Sequence, residues 1–141
     1  MSLLLDTNIF LEVLLGQERA EEARQLLSSS SQRTLYLSDF TLFSIGLKLF
    51  RSGTPSAFVE FVNDIVLRGI VIVATVSPDA AEESAAAATR FALGFDDASQ
   101  YTVAKHLDAA TVSFDRDFDR TERGRKTPAN ILAERGEAPS G

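Results

Sequence analysis

Three carboxylates stand out by where they sit. Asp6 follows the apolar run Leu3-Leu4-Leu5 directly, Asp115 closes the run "ATVSFD", and Asp97, in "GFDDASQY", opens a stretch of helical period. If both runs are parallel strands, Asp6 and Asp115 share the carboxyl edge of a sheet, where ligands of such sheets bind. Asp97, at the head of a helix, belongs at that same edge. Gathered carboxylates repel unless protons or a cation neutralise them. The chain has no Cys and one His, His106, so the donors on offer are oxygens. Oxygen donors suit Mg²⁺ or Mn²⁺ rather than structural Zn²⁺. A hard cation held by carboxylates activates water and stabilises phosphoryl charge, so the chemistry indicated is metal-assisted phosphodiester hydrolysis.

Each acid also has a plainer reading. Asp6 and Asp97 could cap helices or favour a helix dipole, and Asp115 could be a turn residue. Caps do not require strand-end placement in two separate units, and this weighs toward a shared site. Asp117 is a further loop ligand within reach, whereas Asp119 reads as solvated. His106 reads as a surface residue that complements a helix C-terminus.

The elements that must position these acids alternate in type. Strand-like runs cover 3–6, 34–38 ("TLYLS"), 69–76 ("GIVIVATV") and 109–115. Helical periods cover 8–15 and 17–30, broken near Gly16, then a helix capped by Ser38 with Leu42, Ile45 and Leu49 aligned. Pro55 starts another helix with Phe58, Val62 and Ile65 on its buried face. The run 69–76 is continuously apolar and β-branched, which predicts a strand covered on both faces. Ser77-Pro78-Asp79 opens a helix with Ala81, Ala85, Ala88 and Ala92 on the packing stripe. Asp96-Asp97 opens the next, with Ala98, Tyr101, Ala104 and Leu107 aligned, and 127–136 forms a short closing helix. Phe40, Phe43, Phe50, Phe58 and Phe61 lie at helical spacing and read as core. Strands separated by helices predict a parallel sheet with helices on both faces.

At 141 residues the chain reads as one domain over 1–137, with a flexible tail at 138–141. Hydrophobic residues make up 45% and charged ones 24%, the composition of a soluble globular protein. Without a membrane-spanning run or a secretion leader, the expected location is cytoplasmic. A net charge of −6 argues against a constitutive electrostatic clamp on nucleic acid, but not against a metal enzyme acting on phosphodiesters. The late run "DRDFDRTERGRK" is mixed in sign and reads as a solvated loop.

The stretches "LLLDTNIFLEVLLG", "LSDFTLFSIGLKL", "GFDDASQYTVAKHLDAATVSFDRDFDR" and "TPANIL" together resemble PIN-domain ribonucleases, the class that includes VapC-type toxins of toxin–antitoxin pairs. The resemblance spans nearly the whole chain. It implies a three-layer α/β/α sandwich around a mostly parallel sheet, an acidic pocket binding Mg²⁺ or Mn²⁺, and cleavage of single-stranded RNA. Asp6 ("DTN"), Asp97 ("DA") and Asp115 ("SFD") match three of the family's acids, Ser113 its small hydroxyl, and Asn8 a residue that supports the first acid. A toxin implies an antitoxin protein that covers the site, and the apolar helices early in the chain support a homodimer. One position departs: Ser44 stands where the family usually has Glu, which removes a charge expected to strengthen metal binding. That departure opens an alternative, a PIN-like domain of weak or silent catalysis acting as an RNA- or protein-binding module. A phosphoacceptor receiver domain also groups strand-end acids, but "GIVIVATV" ends without the acceptor Asp.

Overall fold

Leu3, Leu4 and Leu5 are fully buried, and their alternation sets the layers of the molecule. In the computed structural model, which describes residues 1–137, they form strand β1 (Ser2–Leu5). β1 pairs in parallel with β2 (Thr34–Ser38) on one side and β4 (Ala110–Val112) on the other. β2 in turn pairs in parallel with β3 (Ile72–Ala74), giving the order β3-β2-β1-β4.

Leu3 and Leu5 point to one face. There they meet Ile9 and Phe10 of α1 (Thr7–Leu14), Ala23 and Leu26 of α2 (Ala20–Leu27), and Ile45 and Leu49 of α3 (Asp39–Arg51). Phe61 of α4 (Pro55–Phe61) and Ile131 of α7 (Pro128–Glu137) complete this core. Leu4 points to the other face, against Val103 and Ala104 of α6 (Phe95–Leu107). α5 (Ala81–Phe91) packs on α6 through Ala87, Phe91, Ala98 and Tyr101. The result is the expected α/β/α sandwich, with all four strands parallel. Ser38 caps α3 as expected, its hydroxyl accepting from the Thr41 N–H at 3.0 Å.

Three expectations are corrected. The run 69–76 is not a strand covered on both faces. β3 is a three-residue strand at the sheet edge, with Ile72 and Val73 50% and 38% exposed. A continuous apolar run does not by itself separate a central strand from an edge. The packing stripe of α5 is Ser84, Ala87 and Phe91, while Ala81 and Ala85 lie in solvent. A 3-10 turn at Pro78–Ala80 precedes the helix, and the true face sits one residue, about 100°, from the expected one. Finally, Phe43 and Phe50 are not core: they are 69% and 59% exposed on the outer side of α3. The expected tail, 138–141, lies outside the described residues. Among the described residues, no helix is long and apolar enough to cross a membrane.

What positions the site is the sheet order. The chain leaves β1 for β2 on one side and returns to β4 on the other, so the order reverses at β1. The crevice beyond the carboxyl ends of β1 and β4 is the switch point where open parallel sheets bind ligands.

Candidate active site

Asp6 is the first residue beyond β1. Its N–H bonds the Val112 carbonyl at 2.9 Å, which ties it to β4. It is both a cap and a site residue. Asp6 Oδ1 accepts from the Thr7 N–H at 2.8 Å, closing the first turn of α1, and from Gln100 Nε2 at 3.3 Å. Oδ2 accepts from Ser113 Oγ at 2.7 Å and Asn8 Nδ2 at 3.4 Å. Asn8 also donates to Ser113 Oγ at 3.1 Å and accepts from the Phe114 N–H at 3.2 Å, joining the loops after β1 and β4. Asn8 and Ser113 therefore hold the first acid in one orientation.

Asp115 reaches the crevice three residues past β4. Its N–H donates to Ser113 Oγ at 2.9 Å, and its Oδ1 accepts from the Asp117 N–H at 2.9 Å, capping the 3-10 turn Arg116–Arg120. Asp97 arrives from the first turn of α6, whose N-cap is Gly94, so Asp97 is not the cap. Asp6, Asp97 and Asp115 all line one pocket of about 250 Å³, together with Asn8, Phe40, Ser44, Asp96 and Gln100. One carboxylate oxygen each of Asp97, Asp115 and Asp117 lies within 4.8 Å of the others. Asp117 is in part engaged elsewhere, paired with Arg120 at 2.7 Å. His106 stands apart from the pocket, 2.5 Å from Glu83.

The electrostatics match this crowding. Burial, then the charges of Asp115 and Asp96, push the Asp97 carboxyl up to about 7. Burial also raises Asp6, against hydrogen bonds from Ser113, Thr7 and Gln100 that favour its charged form. Asp97 takes no hydrogen bond from an N–H group among the described residues. The site thus holds negative charge that the protein itself leaves only partly compensated.

A hard divalent cation fits these residues on two grounds. The donors converging on the pocket are all oxygens. In addition, Gln100 is 2% exposed and its Oε1 has no hydrogen-bond partner. Asp6 as a carboxylate only accepts, so the Gln100 amide is fixed with Nε2 on Asp6 and Oε1 free. A buried orphan oxygen costs about 1–3 kcal/mol unless something meets it. Gln100 is not among the residues that the sequence singles out; Asp96, beside Asp97, lines the same pocket. The available signal for Gln100 was its spacing: i+3 from Asp97 puts both on one helix face.

The PIN-domain family model matches residues 3–124, which include all three acids. No curated protein sequence is close enough to count as a match. Among solved structures, VapBC2 from Rickettsia felis, bound to a DNA fragment from its promoter, superposes with a TM-score of 0.73 at 14% identity, covering 89% of this chain and 97% of that one. FitAcB from Neisseria gonorrhoeae gives 0.71 at 18% identity over 90% and 98% of the two chains. VapC20 from Mycobacterium tuberculosis, described as a Sarcin-Ricin loop cleaving toxin, gives 0.70 at 23% identity over 83% and 92%. At these identities the likeness is one of fold. With the family match running from the first strand to beyond the last and taking in every acid of the pocket, the chain belongs to the PIN-domain family.

Proposed function

We propose that this chain is a metal-dependent endoribonuclease that cleaves single-stranded RNA and is the toxin of a toxin–antitoxin pair. The observation that carries the reading is the convergence of Asp6, Asp97 and Asp115 in one pocket at the switch point of the sheet. These three acids are the proposed ligands and catalytic residues, and a bound Mg²⁺ or Mn²⁺ would supply Lewis-acid activation of water and neutralise phosphate charge. Ser113 and Asn8 orient Asp6, and Gln100 Nε2 donates to its Oδ1. The family match and the fold shared with VapC20 support the nuclease and the toxin. The expected test is cleavage of labelled single-stranded RNA. Activity present in Mg²⁺ or Mn²⁺ falls to background with EDTA and returns when the metal is restored. Cleavage that persists in EDTA overturns the metal dependence, and no cleavage in either metal overturns the enzyme.

Ser44 keeps a second reading in view, a domain of weak catalysis acting as a binding module. It lines the acidic pocket and brings no charge. Ser44→Glu adds a carboxylate there, and we expect divalent affinity to rise about 10-fold, one pKa-sized increment of interaction. Calorimetric titration with Mn²⁺ reads this directly. A cleavage rate rising in parallel would favour the weakened-enzyme reading; an unchanged rate at higher affinity would mean the wild-type site is already complete.

For partners we propose an antitoxin protein and a second copy of the chain, in the cytoplasm. The neighbours from Rickettsia felis and Klebsiella pneumoniae, the latter a toxin-antitoxin complex, support the first. Phe43, Leu47 and Phe50, exposed on one side of α3, and Val59, exposed on α4, support the second. Leu47→Asp is expected to convert a dimer into a monomer in light scattering, and an unchanged mass would remove this face from the interface.

A further inference from the structure

Phe95 opens α6 immediately before Asp96 and Asp97 and is 69% exposed. Its ring meets Phe40 edge to face, with centroids 5.7 Å apart and planes at 69°. Phe40 itself lines the acidic pocket. Phe95 also borders a groove of about 460 Å³, walled by Pro78, Ala81, Ala85 and Ala88. Ala87 and Ala88 pack toward α6, whereas Ala81 and Ala85 face solvent, and their small side chains keep the groove beside the Phe95 ring open. No charged side chain lines the groove. A phosphate finds no counter-charge there, whereas a flat, uncharged ring finds an aromatic face and an apolar wall.

We propose that Phe95, braced by Phe40, is the seat for an unpaired base of the strand whose phosphate enters the acidic pocket. The inference rests on the nuclease reading and extends it to substrate recognition. Continuity decides the occupant. The two rings run from the pocket to the groove without a break, so a strand held at the acids places a neighbouring base over Phe95. Stacking on aromatic side chains is sequence-tolerant and strong enough to position single strands. A duplex keeps its bases stacked on each other and cannot use the seat, so the seat also selects single-stranded substrate.

The test is direct binding of short RNAs carrying 2-aminopurine at successive positions, measured on Asp97→Asn protein so that the strand stays intact. At one position the fluorescence is quenched on binding. Phe95→Ala in the same background removes the quenching and weakens binding about 10-fold, while Phe95→Trp retains both. Removing the base at that position weakens binding to a similar degree and costs Phe95→Ala nothing further, the mark of a single shared contact. An unchanged melting temperature for Phe95→Ala confirms the fold, since the ring lies in solvent. Binding without quenching at any position, equal affinity of Phe95→Ala, or no RNA binding at all overturns the seat and leaves the ring pair to a protein partner. Wild-type cleavage separates the two readings: cleavage with no Phe95 effect sinks the seat alone, and quenching without cleavage sinks the nuclease alone.

Discussion

Replacing Asp97 with Asn is expected to cut the proposed RNA cleavage severely while making the metal-free protein more stable. The two effects share one cause. Asp97 sits among like charges, with burial and the Asp115 and Asp96 carboxylates opposing its ionisation. No N–H group among the described residues compensates it. Neutralising it relieves that repulsion, so at pH 8 in EDTA the melting temperature rises by on the order of 5 °C, the shift expected for about 1 kcal/mol or more. The same charge is what the proposed cation requires, and its loss lowers cleavage about 1,000-fold, as does removal of a single key electrostatic group in other enzymes. Asp6→Asn is the control. It loses cleavage to a comparable extent but does not share the gain. Asp6 Oδ2 accepts from both Ser113 and Asn8, and an Asn amide nitrogen there would face the Asn8 donor and the Ser113 hydroxyl. The Ser113 oxygen already accepts from Asn8 and the Asp115 N–H, so it has no capacity left to accept the new donor. Calorimetry on the three proteins decides the matter. A melting temperature for Asp97→Asn at or below wild type would show that the pocket carries no stored repulsion.

This opposition between stability and function explains what could be read from the residues. A strand that ends in a carboxylate, twice, is a local conflict, since a buried apolar run gains nothing from a charge at its end. Such conflicts concentrate at functional sites. The architecture was legible because the strands and helices differ in period, and because Leu3, Leu4 and Leu5 are too apolar for anything but burial on both faces. The 69–76 run defeated the same logic. Apolar composition reports that a segment can be buried, while the sheet order, fixed by long-range pairing, decides whether it is. The α5 stripe failed for a subtler reason, as alanine is small enough to tolerate either side of a helix and its spacing carries little information. Gln100 is marked in the sequence only by its i+3 spacing from Asp97, because its role depends on an amide fixed by an acid 94 residues away in the chain.

Metal-free stability falls as pH rises through the window set by the raised acids, and a divalent cation reverses the fall. Below about pH 4, Asp97 is protonated in both folded and unfolded chains and contributes no slope. Between the ordinary aspartate value of 3.8 and about 7 the folded protein keeps a proton on Asp97 that the unfolded chain has released. The folded state then binds more protons, so the slope of unfolding free energy with pH is negative throughout the window and flattens above it. Asp6, also raised, adds to the same slope. Two acids act oppositely. Hydrogen bonds from His106 and Tyr101 lower Glu83 and Glu122 respectively, and their contribution grows with pH. That contribution is complete above the ordinary carboxylate value of 4.5, so between pH 4.5 and 7 the pocket acids set the sign. Melting temperatures in EDTA are therefore expected to decline across this range. Millimolar Mn²⁺ raises them strongly at pH 8 and little at pH 5, where protons occupy the carboxylates the cation needs. Asp97→Asn removes most of both effects. A melting temperature that is flat from pH 4.5 to 7 in EDTA, or a Mn²⁺ gain equal at the two ends, would place the raised acids and the cation site somewhere other than this pocket.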